Sequence, residues 1–84
     1  MTVAAAQLRQ LVKMADQIAL NLGAGRDPAA AERTAEHIKR FWTPAMTRQL
    51  IVFWREGGEV TAVVAAALAQ LDSSENNSSE HNRR

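Results

Sequence analysis

His37, Lys39, Arg40, Phe41 and Trp42 fall within six residues, placing two large rings beside groups that carry or can accept positive charge. Such a set suits recognition of another protein. Tryptophan and arginine concentrate at the energetic centres of interfaces, where a ring fills a pocket and a guanidinium fixes orientation. Met46 and Arg48 extend the set past Pro44, and Phe53 and Trp54 add a second aromatic pair. The candidate partner-binding residues are therefore His37, Arg40, Phe41, Trp42, Met46, Arg48, Phe53 and Trp54.

Catalysis has no comparable support. The chain contains no cysteine, which excludes disulfides, thiolate metal sites and thiol nucleophiles. Its two histidines, His37 and His81, lie far apart, and no spacing of His, Asp and Glu matches a metal site. A nucleophile elbow and a phosphate-cradling loop are both missing. Gly23-Ala24-Gly25 follows no strand and reads as a helix stop. No catalytic, cofactor-binding or metal-ligating residue is expected in this chain.

Eighty-four residues make one small domain, with a modest core because much of the apolar content is alanine. Ten basic and nine acidic side chains are interspersed, which argues against a protein built to neutralise phosphates. No signal sequence or membrane-length apolar run is legible, so a cytoplasmic chain that meets neither membrane nor nucleic acid is expected.

The elements that position these residues are helices. Leu8, Leu11, Ala15, Ile18 and Leu22 form one amphipathic stripe, closed by Gly23. Asp27-Pro28 is a start signal for a second helix, with Pro28 expected at its first position. Its apolar face is Ala31, Ala35, Ile38 and either Phe41 or Trp42, and Glu36 is spaced to pair with Arg40. Pro44 biases Thr43 out of helical geometry, so a third helix should start there, capped by Thr43 and stopped by Gly57-Gly58. Thr61 should cap a fourth helix facing inward through Val64, Ala67 or Leu68, and Leu71. From Asp72 onward the polar composition predicts a disordered tail, giving residues 1–71 as the helical domain and 72–84 as tail. The fold class is all-α, a small four-helix bundle with short connections.

Two patterns exceed what such a bundle readily hides. Leu50-Ile51-Val52-Phe53-Trp54 covers the whole circumference of a helix. Either that helix is wrapped by the other three, or another chain covers one face; the second reading is adopted. Phe41 and Trp42 are adjacent and cannot both point squarely at one core. Trp42 is assigned outward, with Phe41 and Met46, to the apolar centre of an interface. His37, Arg40 and Arg48 form its polar rim. A helix-turn-helix reading of the second and third helices meets only a thin basic footprint in Arg48 and Arg55. A DNA-binding regulator and an autonomous homo-oligomeric helical module are the alternatives.

Lys13-Met14-Ala15-Asp16-Gln17-Ile18-Ala19, followed by His37-Ile38-Lys39-Arg40-Phe41-Trp42-Thr43-Pro44-Ala45-Met46, resembles the delta subunit of cytoplasmic NAD-dependent formate dehydrogenase. The resemblance spans about Leu8 to Leu71, and the second segment is the specific one. It implies a non-catalytic accessory subunit that binds no cofactor. The implied partner is the large alpha subunit, which carries a molybdenum or tungsten pterin cofactor and iron–sulfur clusters and oxidises formate to carbon dioxide. Beta and gamma subunits pass the electrons through FMN to NAD. The implied role is support of holoenzyme assembly or stability. This chain departs from the family pattern at Ala45, where a basic residue is usual, and after Asp72, where no family counterpart exists.

Overall fold

Four helices follow one another with short connections: α1 (Thr2–Asn21), α2 (Ala30–Phe41), α3 (Pro44–Arg55) and α4 (Ala62–Asn82). A computed structural model describes the backbone of residues 2–82 and the side-chain surroundings of residues 6–73. Among the described residues there is no strand, so the chain is all-α. α2 packs most extensively on α4, while α1 touches all three other helices.

Each helix end has local chemistry that stops or starts it. At the end of α1 the Ala24 N–H bonds the Ala19 carbonyl (2.9 Å) and the Gly23 N–H bonds that of Leu20 (3.3 Å). This is a Schellman closure, and it needs the positive φ of Gly23, +103°. α3 ends the same way: Gly58 donates to Phe53 (2.9 Å) and Gly57, at φ +95°, to Trp54 (3.1 Å). At the other end of α3, Thr43 Oγ1 accepts from the Met46 N–H at 3.2 Å, the N-cap contact expected there, with Pro44 in the first turn.

α2 starts two residues later than Asp27-Pro28 suggested. Asp27 does behave as a cap, since its Oδ1 accepts the Ala29 N–H at 2.9 Å. Its carbonyl, however, accepts from Ala30 (3.0 Å), a tight three-residue spacing, and the first four-residue bond runs from Arg33 to Ala29 (3.0 Å). The start signal therefore closes a separate turn before the helix proper. The Glu36–Arg40 pair is not formed; instead Arg33 reaches Asp27 Oδ2 at 3.3 Å. Thr61 stands just before α4. Its carbonyl accepts from Ala65 (2.8 Å), while its hydroxyl donates to Asp16 Oδ1 (3.2 Å), tying α4 to α1.

The core gathers Leu11, Ala15 and Ala19 from α1, Ala35 and Ile38 from α2, Leu50 and Ile51 from α3, and Val64, Ala67, Leu68 and Leu71 from α4, with Trp42 beside them. Buried alanines on three helices let the axes approach closely, since interaxial distance follows side-chain size at the contact. Among the described side chains the last buried residue of α4 is Leu71, one residue before the expected polar segment. Helical backbone continues to Asn82. The expected tail otherwise falls on residues whose side chains lie outside the description, although Asp72 itself lies 3.8 Å from Arg55.

Two features give direct predictions. A Cβ added at Gly58 would sit 2.4 Å from the Phe53 ring, so ring and backbone are in close register. Gly58→Ala should lower stability by about 1–3 kcal/mol through this overpacking. In urea melts that loss should shrink when Phe53→Ala is also present, because the two residues are coupled. Thr34, the buried polar residue of α2, has a hydroxyl with no hydrogen-bond partner. Thr34→Val keeps the shape and removes the stranded group, so the urea midpoint should rise, by about 1 kcal/mol in stability. A drop would show that the hydroxyl is bonded in solution.

Candidate functional site

Of the two rings assigned outward from the sequence, Phe41 is exposed and Trp42 is not. Trp42 retains only 8 % of its surface and joins the core, whereas Phe41 is 67 % exposed. The cause is local. Stepping around a helix, Trp42 falls about 40° from the buried Ile38 and Phe41 about 60° to the other side, towards His37. Trp42 also leaves the helix in an extended conformation (φ −90°, ψ 150°) while its N–H still bonds Ile38. The indole is thereby held over the core at the α2–α3 junction, and Pro44 fixes the direction in which the chain departs.

Phe41 keeps company with His37. Their ring centroids lie 4.7 Å apart, tilted by 42°. This spacing is typical of paired aromatic rings. The pair lines an open groove of about 420 Å³ together with Leu22 at the end of α1 and Glu32, Arg33, Glu36 and Arg40 on α2. Arg40 is exposed and His37 half-buried.

The apolar ring on α3 is not wrapped by the other helices. Leu50 and Ile51 are buried, Phe53 and Trp54 are half-buried, and Val52 is 44 % exposed. Val52 and Phe53 line a second groove, of about 480 Å³, with Gln7, Leu8, Ala45, Arg48, Gln49 and Glu56. Met46 and Trp54 pack against the core from its edge.

The candidate residues thus form no single patch. His37, Arg40 and Phe41 share one groove, Arg48 and Phe53 another, Met46 and Trp54 line the core, and Trp42 is inside it. Sequence reasoning missed Leu22, Glu32 and Glu36 as groove residues. Glu32 and Glu36 repeat at four-residue spacing with Arg40, which is a legible signal for a shared helix face.

Among the described residues no three of His, Cys, Asp and Glu gather where they could hold a metal ion. None of the described helices is long and apolar enough to cross a membrane.

The model of the NADH-dependent formate dehydrogenase delta subunit (FdsD) matches residues 10–68, more than half of the chain. This chain belongs to the formate dehydrogenase delta-subunit family. The matched span runs from α1 into α4, so it includes the whole of the groove on α2 and all of the second groove except Gln7 and Leu8. Comparison with curated proteins and with solved structures gives no match. Membership in the delta-subunit family therefore rests on the four-helix unit itself, and it points to a role as one subunit of a formate dehydrogenase complex.

Proposed function

We propose that this chain is a non-catalytic accessory subunit of an NAD-dependent formate dehydrogenase, acting in the cytoplasm. It binds the large molybdopterin- and iron–sulfur-containing alpha subunit and supports assembly or stability of the active holoenzyme, alongside the beta and gamma subunits. The family match across the four-helix unit carries this reading. The exposed chemistry fits it. Phe41 and Val52 leave apolar surface uncovered, and both grooves have polar margins, the arrangement of an interface centre with its rim. Of the partner-binding set, His37, Arg40, Phe41, Arg48 and Phe53 supply the surface, Met46 and Trp54 its edges, and Trp42 supports it from beneath. Binding only the native partner stabilises that partner by mass action, by about 2.7 kcal/mol at one hundred times the dissociation constant.

The test is affinity purification of the tagged chain from its host, with mass spectrometry and metal analysis. Recovery of the alpha subunit, with molybdenum or tungsten and iron in proportion, is expected. Recovery of the chain alone at low and moderate salt would refute the proposal.

A further inference from the structure

We infer that the α2 groove receives an amphipathic helix of the alpha subunit. That helix would carry a carboxylate one turn from its large apolar anchor, and basic side chains on its outer edge. The inference rests on the proposed partnership and specifies its contact.

Moving around α2 away from the buried Ile38, Phe41 and His37 come first, at about 60–100°. Arg33 and Arg40 follow at about 140–160°, then Glu36 and Glu32 at about 200–240°. The α2 residues that line the groove are therefore ordered in three rows, apolar next to the core, then cationic, then anionic, and exposed Lys39 lies outside the groove beyond Glu32, at about 260°. Arg33 is engaged by Asp27, whereas Arg40, Glu32 and Glu36 make no ion pair among the described residues. Opposite charges four residues apart on a helix can pair along its own surface. Here the spacing for a Glu36–Arg40 pair exists and the pair is absent, leaving both charges open to a complementary surface.

The rows also set the form of the occupant. Arg33, His37 and Phe41 make one four-residue ridge about 12 Å long, or two helical turns. Leu22 closes the groove from the end of α1. A ridge of this kind interdigitates with the equivalent ridge of another helix. Its apolar stripe would lie on Leu22, His37 and Phe41, its carboxylate would face Arg40, and its lysine or arginine would face Glu32 and Glu36.

The experiment uses the full chain and the purified alpha subunit. Hydrogen exchange should show new protection across residues 32–41 on complex formation. Phe41→Ala should weaken binding about tenfold or more, since an exposed ring that anchors an interface behaves as a hot spot. Arg40→Glu should weaken it as well, with helicity unchanged in both. Leu20→Ala, at an exposed position of α1 that lines neither groove, should bind as the unaltered chain does. A photo-crosslinker placed at position 41 should capture a helical segment of the alpha subunit containing the predicted carboxylate. Protection confined to residues 45–56, normal binding by Phe41→Ala, or capture of a loop or strand would overturn the inference and leave the partnership standing. Self-association of the chain that Phe41→Ala abolishes would assign the groove to a second copy instead. No binding of the unaltered chain to the alpha subunit would remove the partnership and this inference together.

Discussion

Trp42→Ala should cost about 3–5 kcal/mol, the range for truncating a large buried aromatic ring. The indole is almost fully enclosed at the α2–α3 junction and shares the core with residues of every helix. Small domains have total stabilities on the order of 5–15 kcal/mol, and this one has an alanine-rich core at the weaker end of what its size allows. The expected result is a chain largely or wholly unfolded at room temperature, with helical circular dichroism lost. Its neighbour gives the contrast. Phe41→Ala should change stability by no more than about 0.5 kcal/mol, because the ring is mainly in solvent. If the two variants behave alike in urea melts, the division of the rings described here is wrong.

Leu50→Ala should be nearly as damaging, at about 2–5 kcal/mol. Leu50 is fully buried and belongs to the same core cluster. Because Ile38, Val64 and Leu68 of the same cluster are also fully buried and belong to other helices, the site can collapse only partly around the cavity. Val52, two residues on in the same apolar run, should tolerate alanine at a cost below about 1 kcal/mol, since nearly half of it is exposed. Chemical denaturation of the two variants side by side measures the asymmetry of α3. Equal losses would mean that α3 is wrapped on all sides, the arrangement its circumferential apolar run permits.

Much of the architecture is legible from local chemistry. Thr43-Pro44 marks the start of α3, and glycine marks the ends of α1 and α3, because the groups that satisfy a helix terminus lie within a few residues of it. The inward face of α4 follows from apolar spacing alone. Asp27-Pro28 shows the limit of such signals. The cap chemistry is present, but the loop from Gly23 bends the chain first: the Gly23 carbonyl accepts from both Arg26 (2.9 Å) and Asp27 (2.8 Å), and the helix begins only after the next turn. Thr34 was not legible as core, because composition counts a hydroxyl as polar whichever way the residue faces.

The sequence by itself determined where α3 begins, where α1 and α3 end, which stripe of α1 and of α4 turns inward, and, through the His37 to Met46 segment, the family. Only the tertiary structure decided which ring is core and which is surface. Phe41 and Trp42 stand almost symmetrically about the inward direction of α2, so periodicity cannot separate them. The choice depends on how the chain leaves the helix at Trp42 and on the space that α1, α3 and α4 leave above Ile38. Those are long-range packing terms, and no local spacing encodes them.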